Sequence, residues 1–388
     1  MKLSKKLIAV TAALTMTLGM VGCSKSGSNG DTIKIGANFE MTGDVAAFGN
    51  SQLQGIELAV EEINKDGGIL GKKLEVIKAD NASKADESTR MASKLITQDD
   101  VDVLLGATTS TNTLAAVPVA MDKKVPMLTA SATNPAVTVN DKTGKVNDYI
   151  FRACFIDPFQ GTVMAKFATD KLNAKTAVIY TDVASDYSKG LQKFFKQSFT
   201  EQGGEILAEE SFQTKDTDFK AVLTRIKSLN PDVIYVPGYY QEVGKIVKQA
   251  RELGITVPMM GGDGWDAPQL VEIAGADALN NTFISNHYSP EDPDAKVKNF
   301  VDAYKAKYNV VPDAMAVLGY DGMYMVADAI KRAGEVDHEK IKDALANTTA
   351  FEGVTGKIAL DKEHNPVKAA VILEYKDGKQ VFKDKIQP

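Results

Sequence analysis

Residues 31–80 read DTIKIGANFEMTGDVAAFGNSQLQGIELAVEEINKDGGILGKKLEVIKAD. Ile33-Lys34-Ile35-Gly36 is a short apolar strand, and Leu53, Ile56, Val60 and Ile63 then recur at spacings of 3, 4 and 3, one face of a helix. Asp66-Gly67-Gly68 stops that helix and Leu74–Ala79 returns as a strand. This opening sets a strand–helix–strand rhythm that the rest of the chain repeats.

A second helix (Lys84–Thr97) leads to a third strand, Val101–Leu105. The rhythm resumes at Thr176–Tyr180, an uncharged run expected of a strand buried on both faces. Phe219, Val222, Leu223 and Ile226 form a helix face that Asn230-Pro231 ends. Val233–Val236 is a strand, and Val243, Ile246, Val247 and Ala250 mark a helix with Gly254 at its C′ position. Such alternation predicts parallel sheets with helices on both faces. Val101–Gly106 and Pro231–Gly238 echo one another, each running a strand into a polar loop before a helix. Two similar lobes would turn these carboxyl-terminal strand ends toward one cleft.

The N-terminus has a separate character. Lys2, Lys5 and Lys6 precede an uncharged stretch, Leu7–Gly22, which reads as a secretory signal peptide and is too weakly apolar for a spanning helix. Ser24–Gly30 has the composition of a flexible tether. The formal net charge is −6; without the three leader lysines, 42 basic residues face 51 acidic ones, a net of −9. That balance argues against nucleic acid as a partner. Cys23 and Cys154 are the two cysteines, so a chain anchored through Cys23 has no internal disulfide.

Catalytic and cofactor motifs are missing. His287, His338 and His364 are scattered, with no HExxH pattern and no cysteine pairing for a metal. Neither a phosphate-binding G-x-x-x-x-G-K-[ST] loop nor a G-x-S-x-G nucleophile elbow occurs. No cofactor, no metal and no enzymatic activity are expected; the chemistry is recognition. A free amino acid needs N–H and O–H donors for its carboxylate, best at a helix N-terminus. Gly106–Thr113 (GATTSTNT) supplies them between a strand and a helix beginning near Thr111. Its ammonium needs a carboxylate, and Gly261-Gly262-Asp263-Gly264-Trp265 places one in a glycine-rich loop after the strand Val257–Met260. Singly, the first loop reads as a cap and the second as a turn. Together, at strand ends, they read as a site.

Two resemblances sharpen this. Met20-Val21-Gly22-Cys23 resembles the lipobox of bacterial lipoproteins, with Met20 where Leu is usual. It implies a lipidated Cys23 as mature N-terminus, holding the protein to the outer face of the cell membrane by its lipid alone. The run Ile33–Gly36, Met41-Thr42-Gly43, Gly55–Ala59, Gly67-Gly68-Ile69 and Gly71-Lys72 resembles the opening of the leucine/isoleucine/valine-binding proteins of ABC transporters. The likeness continues through Ala132–Pro135, Phe151-Arg152, Gly238-Tyr239 and Gly319-Tyr320-Asp321.

That family has the α/β type I periplasmic binding protein fold: two Rossmann-like lobes with parallel sheets, three hinge crossings and a ligand in the inter-lobe cleft. The resemblance implies a signal peptide at 1–22, a lipidated N-terminus and tether at 23–30, lobe 1 at 31–152 and 287–368, and lobe 2 at 153–286 and 369–388, with crossings near Arg152, Asn286 and Lys368. It implies a carboxylate held at Ser110, an ammonium and carboxylate contact from Ser131 and Thr133, second-lobe tyrosines Tyr187 and Tyr239, Asp263 for the ammonium, and Phe48 lining the side-chain pocket. Trp265, Tyr320 and Cys154 are read as packing residues. A small, aliphatic amino acid is the expected ligand, ABC permease subunits the expected partners, and a monomer the expected state. The alternatives are another small amino acid, an amide or related solute, or a sensor working with a membrane signalling partner.

Overall fold

The computed structural model describes residues 32–387. The signal peptide, Cys23 and the tether lie outside the described residues. The first stretch forms β1 (Thr32–Phe39), α1 (Ala46–Lys65), β2 (Lys73–Asp80), α2 (Ala85–Thr97), β3 (Val103–Gly106), α3 (Ser110–Lys123), β4 (Met127–Thr129) and β5 (Ile150–Arg152). Its sheet runs β2-β1-β3-β4-β5 with every neighbouring pair parallel. β1 continues to Phe39, beyond the run that defined it, because Ala37, Asn38 and Phe39 are all buried. Asn38 manages this by donating to the Ser88 carbonyl at 3.0 Å.

The chain then forms α4 (Asp157–Asp170), β6 (Thr176–Asp182), α5 (Asp186–Glu201), β7 (Glu205–Phe212), α6 (Lys220–Leu229), β8 (Val233–Tyr235), α7 (Tyr240–Glu252), β9 (Met259–Gly261), α8 (Pro268–Ala274) and β10 (Thr282–Asn286). These strands make a second parallel sheet in the order β7-β6-β8-β9-β10. α9 (Ala295–Tyr308), α10 (Ala314–Ala333), α11 (His338–Ala346) and the hairpin β11 (Phe351–Gly353), β12 (Gly356–Ile358) follow. Met323, Ile330, Ile341 and Ile358 from this segment share a core with Ile33, Ile35 and Leu53, so it packs on the first lobe.

β13 (Ala370–Lys376) and β14 (Lys379–Ile386) close the chain and extend the second sheet past β10. Both pairings are antiparallel, the departure from the all-parallel expectation. For β13–β14 the cause is the two-residue connection Asp377-Gly378, whose φ angles of 50° and 75° suit a tight hairpin and leave no room for a crossover.

α1 and α10 pack so closely that a Cβ on Gly55 would lie 1.9 Å from the Ala316 carbonyl oxygen, and one on Gly319 would lie 2.2 Å from that of Gln52. Only glycine tolerates this approach. It sets Phe48, on the first turn of α1, beside Met315, on the first turn of α10. Asp313 fixes where α10 begins by accepting from Ala316 N at 2.9 Å.

Candidate functional site

A small cavity lies between the lobes, at the carboxyl-terminal ends of β3, β4 and β9. Phe48, Thr108, Thr109, Ser110, Ser131 and Met315 line it from one side, and Tyr187, Tyr239, Asp263 and Gly264 from the other. The lobes touch around it. Thr111 Oγ1 donates to Asp186 Oδ2 at 3.1 Å, Asn134 Nδ2 to the Asp186 carbonyl at 2.9 Å, and Phe48 meets the Tyr239 and Tyr240 rings edge-on at 5.8 and 5.0 Å.

The first-lobe wall is a helix start. α3 opens at Ser110, one residue ahead of the position the sequence marked, and the N–H groups of its first turn have no intrahelical acceptor. The two N–H groups just before it are already taken, since Thr108 N and Thr109 N donate to the Glu40 carboxylate at 3.0 and 3.1 Å. Thr109 Oγ1 and Asn112 Nδ2 also donate to Glu40, each at 2.8 Å. The loop therefore offers the Ser110 hydroxyl and the first α3 amides to a ligand, rather than all of its backbone. Ser131 Oγ donates to the Thr108 carbonyl at 2.8 Å, tying the loop after β4 to the loop after β3. Arg152, fully buried, fastens the same segment from behind by donating to the Ala132 and Asn134 carbonyls at 2.7 and 2.8 Å. Thr133 lies outside the lining; it is buried in the segment's interior, where its carbonyl accepts from Asp157 N at 3.0 Å.

The second-lobe wall is a short 3-10 turn, Asp263–Trp265, directly after β9. Trp265 is fully buried and its indole N–H donates to the Val236 carbonyl at 3.0 Å, which pins the turn into the core and leaves Asp263 on the cavity side. Trp265 is thus a packing residue. Gly264 is needed here because a Cβ would sit 2.7 Å from the Gly238 carbonyl oxygen and 2.9 Å from the Tyr187 ring. Ser185 caps α5 by accepting from Ser188 N at 3.2 Å, which orients the first turn that carries Tyr187. The Tyr187 ring stacks on Tyr239 at 5.1 Å with 9° between planes.

Asp263 is the charged group of the wall. Its Oδ1 accepts from Tyr187 OH at 2.7 Å and Gln160 Nε2 at 2.8 Å, and its Oδ2 lies 3.0 Å from His287 Nε2. Burial pushes its carboxyl pKa up, but the hydrogen bond from His287, the attraction of that imidazole's positive charge once it is protonated, and the hydrogen bonds from Gln160 and Tyr187 outweigh burial and hold it below the ordinary carboxylate value. It is therefore charged at neutral pH. A carboxylate has about four acceptor positions, so three donors leave one for a ligand. The histidine that the sequence left without a partner is one of these donors. Burial also drives the Cys154 thiol up to about 12, which leaves it protonated and unreactive.

Phe48, Ser110, Ser131, Tyr187, Tyr239 and Asp263, separated in sequence, thus meet at one cavity. Met315, Glu40, Gln160 and His287 were not singled out by sequence. Among the described residues no group of three or more His, Cys, Asp or Glu side chains is placed to hold a metal ion, and no helix is long and apolar enough to cross a membrane.

Residues 32–380 match the family model described as periplasmic binding protein. The leucine-, isoleucine-, valine-, threonine- and alanine-binding protein of Pseudomonas aeruginosa is 32% identical over 351 residues, 90% of this chain and 91% of that protein. The branched-chain amino acid transporter substrate-binding protein LivJ of Streptococcus pneumoniae, solved with isoleucine, is 44% identical with a TM-score of 0.86, over 92% of this chain and all of that one. A solute-binding protein of an ABC transporter from R. palustris, solved with benzoate, is 26% identical with a TM-score of 0.83, over 92% of this chain and 97% of that one.

Proposed function

This chain belongs to the periplasmic binding protein family, and from that premise we propose that it captures a free aliphatic α-amino acid outside the cytoplasm and delivers it to an ABC permease. The observation that carries the ligand class is Asp263, a charged carboxylate with one open acceptor position in a small closed cavity. Such a group attracts an ammonium and disfavours a solute that carries only a carboxylate, which separates this cavity from a benzoate site. In this reading Ser110 and the first amides of α3 take the ligand carboxylate, with Ser131 beside them, and Thr133 shapes the segment from within. Phe48, Met315 and Tyr239 enclose the side chain. Nothing in that apolar set would receive a charged side chain, which favours Leu, Ile or Val.

Each charge-assisted hydrogen bond is worth about 1.5–3 kcal/mol, and three or four of them, less ordering, bring the affinity near the micromolar range. The lobes 31–152 with 287–368 and 153–286 with 369–388 would open and close about the three crossings, with the closed form presented to the permease. Cys23, lipidated, would keep the protein at the membrane surface; Cys23→Ser should then move it into the soluble fraction, and membrane retention of that variant would refute the anchor. Calorimetric titration with the twenty common amino acids tests the ligand class. Leu, Ile or Val should bind most tightly; binding confined to acidic or basic amino acids would overturn it.

A further inference from the structure

Asp263 is gripped from three elements, and two of the three groups, Gln160 and His287, have no place in the cavity lining; of these two, His287 is the one that can titrate. His287 follows β10 directly, where the chain leaves the second sheet. Its side chain is wholly buried. The imidazole stacks on the Phe155 ring with 3.8 Å between centroids and 16° between planes. That stack fixes the ring plane and aims Nε2 at Asp263 Oδ2, 3.0 Å away, while Gln160 and Tyr187 occupy the other carboxylate oxygen. The open acceptor position of Asp263 is therefore on the oxygen that His287 holds. Nδ1 has no hydrogen-bond partner among the described residues. An imidazole with one nitrogen facing a carboxylate and the other unpartnered is a neutral Nε2–H donor.

We infer that His287 is a positioning residue for ligand capture: as a neutral donor it aims the Asp263 carboxylate at the ligand's ammonium, and as a cation it takes that carboxylate for itself. The inference rests on Asp263 being the ammonium acceptor. Two cations beside one carboxylate in a water-poor cavity repel each other far more strongly than they would in water. Proton uptake by His287 and ligand binding are thus mutually exclusive in tendency, and each weakens the other by the same factor.

The groups around the ring decide when this happens. Burial lowers the pKa of His287 below the ordinary histidine value, ahead of the opposing pull of Asp263 and Asp266, and Lys368 lowers it further. Asp157, at the start of α4, is itself pushed up to about 7 by burial. Cys154 contributes no charge, since its thiol lies near 12. His287 is accordingly neutral at pH 7. The sign follows: affinity is full above the pKa of His287 in the free protein and falls as pH drops through it, by up to about tenfold per pH unit. Asp263, held below the ordinary carboxylate value, protonates only afterwards.

The test is leucine calorimetry on the full chain from about pH 8 to about pH 4.5, with His287→Gln and His287→Leu, beside NMR titration of the histidines. With His287, His338 and His364 the only histidines, His287→Gln identifies the His287 resonance by its loss. Gln keeps an N–H donor and cannot titrate; Leu keeps volume and loses the donor. Near pH 7.5, His287→Leu should bind leucine at least about tenfold more weakly, and Gln should restore most of that loss. The acid fall-off of the native chain should shift to lower pH in His287→Gln. The His287 resonance should titrate below the usual histidine range, and lower still with leucine bound. Native affinity in His287→Leu, or an unmoved acid limb in His287→Gln, overturns the inference while leaving the ligand class standing. An Asp263→Asn variant that binds leucine as tightly as the native chain removes the premise, and the role of His287 with it.

Discussion

Glu40 and Asp263 are both buried carboxylates beside one cavity, yet the first lobe keeps its acid behind the wall and the second lobe makes its acid part of the wall. The difference lies in the count of donors. Glu40 accepts from Thr108 N, Thr109 N, Thr109 Oγ1 and Asn112 Nδ2, which fills the capacity of a carboxylate. Asp263 accepts from three partners and retains one position. A saturated buried acid is a brace: it shapes the loop that presents Ser110. An unsaturated one is a receptor for a ligand cation. In the proposed reading the two walls together match a zwitterion, with neutral donors facing one end and a fixed negative charge facing the other.

Removing each acid should give different failures. Glu40→Ala orphans two buried backbone N–H groups and the Thr109 hydroxyl, and should destabilise the fold by about 2–5 kcal/mol. That lowers the melting temperature by several degrees, measurable by thermal denaturation without ligand. An unchanged melting point would mean the loop holds its shape without the brace. Asp263→Ala should leave a folded chain whose leucine affinity falls by roughly 10–100-fold, the value of one charge-assisted hydrogen bond. Unchanged affinity would move Asp263 into the same class as Glu40. Tyr187→Phe removes one of the three donors, and a loss of about 0.5–1.5 kcal/mol in leucine binding is expected from calorimetry. Phe48→Leu keeps an apolar wall and should alter the preference among Leu, Ile and Val by only a few-fold. A large loss of binding of all three would show that Phe48 matters for closure of the lobes rather than for side-chain choice.

The sequence made one half of this contrast legible. Asp263 stands out as a carboxylate among glycines after a strand, and Ser110 as a hydroxyl at a helix start, because both lie where periodicity changes from strand to helix. The parallel sheets were legible for the same reason. Glu40 was overlooked although it is the first charged residue after Ala37-Asn38-Phe39; its meaning depends on Thr108 and Asn112, which only the fold brings to it. Met315 reaches the cavity through the close packing of α1 and α10, a tertiary contact with no local signal. His287 looked isolated because its partner, Asp263, is on another strand end of the same sheet. The antiparallel β13–β14 pair did carry a local signal, Asp377-Gly378 after the apolar run Ala370–Leu373, and it is the element that turn chemistry alone would have placed.

Leucine and 4-methylpentanoate differ only by the ammonium group, so parallel calorimetric titrations of the native chain isolate what Asp263 contributes. Leucine should bind near the micromolar range, and 4-methylpentanoate at least about 100-fold more weakly, because it brings a second anion into the cavity and no cation. Comparable affinity for the two would contradict an ammonium clamp at Asp263 and would place the site with the benzoate-binding relative instead.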